Sequence, residues 1–280
     1  MAQLPTSVDL RSKLPPAYNQ EQFNSCTANA LAGAIQFYHH SYMPSRMFIY
    51  YNERKAQNCL NQDDGSTLSV GLRTTSQYGA PVEAEWPYDE AHLYADPGPI
   101  LYTQAVGDLI TNYASVDSLE DLKSSLAAGW PVVIGMSVYP YMESEEMASS
   151  GVLKMPAANE KSLGGHAVLC VGYNDATQSL LIRNSWGTDW GQQGYFWMPY
   201  AYASNRDLSW DWWAVKATSV ENAPKPEFPK NTVIKEGAFI PEGVWEGPSA
   251  PTELLGRILS GPILLAQRTL SALKGLFSKS

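Results

Sequence analysis

The chain has 280 residues, 44% hydrophobic and 17% charged, with a formal net charge of −9. That length and balance fit one large or two small globular domains with a real core, and the acidic surplus argues against a nucleic-acid surface. Three cysteines, Cys26, Cys59 and Cys170, make no disulfide framework and no pair with metal-ligand spacing, so neither a metal nor a cofactor is expected and the simplest setting is a reducing compartment.

The N-terminal residues Met1 to Thr6 lack a basic start and an apolar core, so they do not read as a secretory signal. No apolar run is long enough to span a bilayer. These features suggest a cytoplasmic protein, or one delivered by a route without a cleavable signal.

In chain order, Leu4 to Leu14 reads as an extended leader bounded by Pro5, Pro15 and Pro16. Ala28, Ala30, Leu31, Ala34, Ile35 and Tyr38 recur mostly at spacings of three to four, which predicts an amphipathic, largely buried helix from Cys26 to about His40. Ser45 is placed to cap a second helix opened by Met47-Phe48-Ile49-Tyr50-Tyr51. A turn at residues 61–65 precedes a third helix from Ser66 to Tyr78, closed by Gly79 and Pro81. Trp86-Pro87-Tyr88 is an aromatic crossing segment.

The pattern then changes. Ser118-Leu119-Glu120-Asp121 resembles a capping box for a short helix to Leu126. Strands are predicted over residues 131–138, 151–153, 166–173, 179–184, 194–198 and 212–215, with Asn174-Asp175 turning one hairpin. A helical first third followed by a β-rich part predicts an α+β chain of two lobes, residues 1–218. Residues 219–251 are rich in Pro and Gly and read as a linker or strap; residues 252–280 look helical, with Arg257, Arg268, Lys274 and Lys279 against Glu253 and a break at Gly261-Pro262.

Cys26 at a helix N-terminus would face unpaired main-chain N–H groups and the positive end of the helix dipole, which favour a thiolate. A lone Cys is more often a small buried hydrophobe, so the rest of the chain must supply a base, an orienting group and an oxyanion donor. Of the four histidines, His39 and His40 lie three to four helical turns from Cys26, and His92 sits in a polar loop. His166 follows Gly164-Gly165 at the start of a strand; spacing alone leaves it open between a core histidine and a base. Asn184 ends the neighbouring strand and could hold the imidazole, with Trp186 shielding the bond. Gln20, six residues before Cys26, could share an oxyanion with the Cys26 N–H.

Together, Asn19-Gln20…Ser25-Cys26, Gly165-His166-Ala167-Val168, Val171-Gly172-Tyr173 and Asn184-Ser185-Trp186-Gly187…Gly194-Tyr195 resemble the papain-like cysteine peptidases over roughly Leu4 to Ala217. Ser25-Cys26-Thr27-Ala28-Asn29-Ala30, Met43-Pro44-Ser45-Arg46 and Trp86-Pro87-Tyr88 resemble the bacterial-type branch. The resemblance implies a helical left lobe and a β-barrel-like right lobe with the active-site cleft between them. It implies Cys26 as nucleophile, His166 as base and acid, Asn184 as orienter and Gln20 as oxyanion donor, acting on a peptide or protein substrate. More loosely, it places Gly65-Ser66-Thr67 at the edge that pairs with substrate backbone, and Ile134 to Met136 and Ala167 near the main specificity pocket. Asn24 would edge the first subsite.

Several positions depart from the family pattern. Glu21 stands where the family usually has Gly, Asn24 replaces another Gly, and Phe23 replaces a disulfide Cys, leaving Cys59 without an evident partner. The family's inhibitory pro-region has no counterpart ahead of Leu4. The expected function is thiol endopeptidase. The rivals are a catalytically silent peptide-binding module, a tethered assembly protein, and amine-accepting acyl transfer. For residues 219–280 three readings stay open: a packed strap, a cis-acting inhibitor, or an anchor to a membrane surface or protein partner through residues 252–280.

Overall fold

The computed structural model describes residues 3–107 and 109–219. The expected linker at 219–251 and helix at 252–280 therefore lie outside the described residues, apart from Ser219.

Three helices open the fold: α1 (Cys26–Tyr38), α2 (Arg46–Ala56) and α3 (Leu68–Tyr78), with short α4 (Glu90–Leu93) and α5 (Gly98–Ala105) after them. Their ends follow local chemistry. Ser45 caps α2 by accepting from the Phe48 N–H at 3.1 Å, and Thr67 caps α3 by accepting from the Val70 N–H. Gly79 closes α3 at φ 70°, a backbone state that costs glycine little. Helix α1, expected to be amphipathic and largely buried, is buried on every side from Thr27 to Phe37, because α2, α3 and the sheet all pack on it. It ends at Tyr38, so His39 and His40 lie just past the helix.

The strands are β1 (Ser7–Asp9), β2 (Ile110–Ser115), β3 (Val132–Val138), β4 (Gly164–Asn174), β5 (Ser179–Arg183), β6 (Tyr195–Pro199) and β7 (Ser209–Thr218). Helix α6 (Leu119–Ala127) is capped by Ser118, as expected, and α7 (Glu145–Ser150) and α8 (Tyr200–Ala203) complete the set. The sheet is antiparallel in the order β2-β7-β3-β4-β5-β6, with β1 added to β4. Among the described residues it is open, not closed into a barrel. The leader is thus partly a strand, and the stretch predicted as a strand at 151–153 makes only a single bridge, Val152 to Trp197.

Alternation divides the core. Val133, Ala167, Leu169, Val171 and Leu181 face the helices, in one cluster with Leu31, Ile35 and Phe48. Val132, Ile134, Met136, Val168, Cys170 and Ile182 face a second cluster with Leu122, Leu126 and Met147. Period-two alternation with both faces buried makes the central strands read as continuous apolar runs. Gly33 of α1 leaves room for the end of the Arg183 side chain, since a Cβ there would lie 2.8 Å from Nη1.

Five elements escaped the sequence reading, among them α4, a single turn within a polar stretch. Strand β2 lies at an edge and is only partly buried, so its apolar signal is weak. Gly98-Pro99 reads as a breaker but starts α5, proline being tolerated in a helix's first turn. Helices α7 and α8 are too short to show periodicity.

Candidate active site

Cys26 is the first residue of α1 and is half-buried. Burial pushes its thiol up to about 11; the main-chain N–H groups of Ala167, Thr27 and Cys26 itself pull the other way, and the Glu53 carboxyl adds to the rise. The Ala167 contact matters geometrically, because Ala167 follows His166 on β4. The thiol therefore sits against the strand that carries the histidine.

His166 is buried in β4, paired opposite Met136 of β3. Its Nε2 lies 2.8 Å from Asn184 Oδ1. Oδ1 also accepts from the Ser185 N–H at 2.9 Å, which fixes the carbonyl end of the amide at that point. Nε2 must then donate, and Nδ1 is the free acceptor. Burial holds the imidazole down to about 4, with the Asn184 bond opposing. Asn184 is anchored just past β5 by its own N–H on the Gly194 carbonyl, 2.9 Å away. The Trp186 ring lies 5.2 Å from the imidazole, centroid to centroid, tilted by 31°, as a shield for the His166–Asn184 bond would.

The residues 18–20 form a short ladder with 185–187. Gln20 N–H donates to the Ser185 carbonyl and Gly187 N–H to the Tyr18 carbonyl, each at 2.8 Å, and Asn19 bridges Trp186. The Gln20 side chain is buried, accepting from Ser185 Oγ at 2.6 Å and donating to the Phe23 carbonyl at 2.9 Å. The fold thus brings Cys26, His166, Asn184, Gln20 and Trp186, which the sequence singled out separately, into one cluster of bonded elements.

The residues that the family resemblance puts at the substrate edge are tied to the same loop. Asp63 accepts from the Asn24 N–H at 3.1 and 3.2 Å and from Tyr50 OH at 2.5 Å, while the Asn24 amide donates to the Asp63 carbonyl. Tyr50 OH in turn accepts from the Gly65 N–H at 3.0 Å. Ser66 donates to Gln57 Oε1. Ala167 pairs with Gly135 across β3 and β4, and Gly135 packs against Trp210, where a Cβ would meet its carbonyl at 3.0 Å.

The departures resolve into geometry. Glu21 takes φ 53°, so the loop keeps the left-handed turn at this position without glycine, at a cost of about 1 kcal/mol. Asn24 is not among the residues with positive φ, and its side chain is spent on Asp63. His39 bonds to Thr218 Oγ1 at 2.8 Å and His40 to the Lys13 carbonyl at 3.3 Å. His92 is no loop residue: it sits in α4, bonded to Asp89 and edge-on to Trp86. Cys170 is core, with burial holding its thiol up to about 12.

The sequence reading missed Asp63, Tyr50 and Glu53. Glu53 is fully buried, accepts from Thr27 Oγ1 at 2.7 Å, and leaves Oε1 without a partner; burial raises its carboxyl to about 8. It stands in the polar run Asn52-Glu53-Arg54-Lys55 late in α2, where a charged residue carries no signal of burial. Among the described residues no cluster of metal-ligating side chains occurs, and no helix is long and apolar enough to cross a membrane.

A thiol at a helix start, beside a strand histidine whose tautomer is fixed by an amide, defines the class of thiol-dependent hydrolases on an α+β scaffold. The family described as papain family cysteine protease matches residues 4–209, and the chain belongs to that family, which makes it a cysteine-type peptidase. An uncharacterized peptidase C1-like protein of Acanthamoeba polyphaga mimivirus is 36% identical over 228 residues, covering 74% of this chain and 73% of its own. Procathepsin L of Mus musculus is 29% identical over 213 residues; the match spans 70% of this chain and only 60% of the mouse protein. The crystal structure of xylellain, a cysteine protease from Xylella fastidiosa, superposes with a TM-score of 0.72 at 40% identity, covering 77% of this chain and 87% of xylellain.

Proposed function

We propose that the protein is an endopeptidase in which Cys26 is the nucleophile, His166 the general base and acid, Asn184 its orienting residue and Gln20 the oxyanion donor. The observation that carries this reading is the His166 Nε2–Asn184 Oδ1 bond of 2.8 Å, with Ser185 N–H on the same oxygen. It leaves Nδ1 as the basic atom, on the strand whose next N–H acts on the Cys26 thiol.

Burial disfavours a lone thiolate and a lone imidazolium alike, so the pair is most stable holding one proton between its members. Attack of Sγ on a peptide carbonyl moves that proton to Nδ1 and places negative charge on the carbonyl oxygen. The Cys26 N–H and the Gln20 amide stabilise this oxyanion. Its collapse breaks the C–N bond, and the imidazolium protonates the leaving amine, giving a thioester. Water then gives a proton to His166 as its oxygen attacks the thioester; the acid product leaves and the thiol is restored. Asn24, Gly65 and Ser66 on one side and Ala167 and Trp186 on the other would line the substrate's path.

Peptides blocked at both termini and carrying an internal fluorophore–quencher pair test the endopeptidase reading. Cleavage between the labels is expected, with none by Cys26→Ala. Release of terminal residues only from unblocked peptides would point to an exopeptidase, and unchanged cleavage by Cys26→Ala would remove the nucleophile assignment.

A further inference from the structure

Two motifs that mark the bacterial-type branch in the sequence, Met43-Pro44-Ser45-Arg46 and Trp86-Pro87-Tyr88, have no part in the chemistry above. In the fold they meet at one place, the loop that carries Gln20. Arg46, the first residue of α2, is 7% exposed. Its Nε and Nη2 donate to the two carboxylate oxygens of Glu83 at 2.8 and 2.7 Å. Its Nη1 donates to the Asn19 carbonyl at 3.0 Å and to Asn29 Oδ1 at 3.1 Å. The guanidinium carbon stands 3.9 Å from the centre of the Tyr88 ring and 4.9 Å from that of Tyr18.

Each partner grips the loop at another point. Tyr88 OH donates to the Gln20 carbonyl at 2.9 Å and is bonded to Ser25 Oγ. Asn29 donates to the Ser25 carbonyl at 2.9 Å and to Ser25 Oγ at 3.1 Å. One guanidinium thus holds the carbonyl just before Gln20 directly. Through Tyr88 and Asn29 it also holds Gln20 itself and the residue just before Cys26. Only a planar fork with five donors can bind a carboxylate in two places, reach two further acceptors and stack on a ring.

We propose that Arg46, braced by Glu83, is a positioning residue that sets the place of the Gln20 amide relative to Cys26 and thereby aligns the oxyanion hole. This rests on the assignment of Gln20 as oxyanion donor. Arg46 touches neither the substrate nor the reacting atoms; it acts through the loop.

The test separates oxyanion-dependent from oxyanion-independent chemistry at the same sulfur. Peptide hydrolysis develops an oxyanion, whereas alkylation of Cys26 by iodoacetamide displaces iodide at a saturated carbon and develops none. Arg46→Lys keeps the charge and loses the fork; the pair Arg46→Gln with Glu83→Gln avoids a lone buried carboxylate. In both, kcat should fall about ten- to a hundredfold, as expected for a displaced oxyanion donor. KM and the rate of Cys26 alkylation should stay within about twofold of wild type. Unchanged kcat in both variants, or equal losses of kcat and alkylation rate, would overturn the proposal, the second showing a merely structural role. Wild-type protein that is alkylated at Cys26 but cleaves no peptide would instead sink the underlying peptidase reading, and this proposal with it.

Discussion

The two halves of the site are held by different means. On the sheet side, His166 sits within the β4 ladder and Asn184 hangs just beyond β5, so main-chain pairing with β3 and β5 sets their positions. On the helical side, main-chain pairing reaches only as far as Asn19 and Gln20, through their short ladder with 185–187, and residues 21–25 have no regular structure. Side chains from elsewhere place the loop: Arg46 and Tyr50 of α2, Asn29 of α1, and Asp63, Glu83, Tyr88 and Ser185 from loops. A ladder tolerates changes in the side chains around it, because the backbone carries the bonds. A loop held by side chains fails one partner at a time. Substitutions distant in sequence should therefore disturb the Gln20 half and leave the His166 half in place.

Substitutions at the centre set the scale. Cys26→Ala should reduce peptide turnover to background, a loss on the order of a millionfold, with the melting temperature nearly unchanged. His166→Ala should cost about 10²- to 10⁴-fold as a lost general base. Asn184→Ala should cost less, about ten- to a hundredfold, because it frees the tautomer without removing the base; kcat against pH would show both.

On the loop side, Asp63→Ala should lower stability by about 1–3 kcal/mol by orphaning Tyr50 OH and the Asn24 N–H. It should also raise KM more than it lowers kcat, since it frees the Gly65 edge. A kcat loss with unchanged KM would contradict that division between edge and oxyanion loop.

The buried titratable groups make opposing contributions to stability. His166, buried neutral with its pKa held down to about 4, contributes stability that is fully present above its unfolded pKa of about 6.5 and is lost as pH falls towards 4. Glu53, raised to about 8, contributes stability present below its unfolded pKa of about 4.3 and lost as pH rises through 8. Thermal melts should show the two contributions nearly cancelling between pH 5 and about 6.5 and wild-type stability declining from there to pH 8, and Glu53→Gln should remove that decline and leave a rise from pH 5 to about 6.5. An unchanged slope in Glu53→Gln would refute the burial argument.

The smallest effect belongs to Glu21→Gly. Relief of the φ 53° turn gains about 1 kcal/mol, and the added freedom of the unfolded chain offsets about as much. The melting temperature should therefore move by no more than about 2 °C.

The same contrast explains what was legible in the sequence. Cys26, His166, Asn184 and Gln20 each stand beside their own local signal: a helix start, a glycine pair before a strand, a strand end, a short offset from the Cys. The central strands are written in apolar runs that the fold buries on both faces. The partners of the 19–25 loop carry no such signal. Asp63 lies 39 residues from Asn24 and Tyr88 lies 68 from Gln20, and within their own segments they read as a turn acid and part of an aromatic crossing segment. Asn24 shows the limit from the other side. It replaces a family Gly and, as an Asn, tolerates positive φ better than most residues, yet the left-handed residue is Glu21, because the turn follows Gln20 directly.

The most direct test of the account is titration with an epoxysuccinyl thiol-protease inhibitor, following peptide turnover and locating the adduct by mass spectrometry. The account predicts a single adduct, at Cys26, with turnover falling in proportion to its occupancy while Cys59 and Cys170 stay unmodified. Turnover that persists with Cys26 fully modified, or is lost without an adduct there, would contradict it.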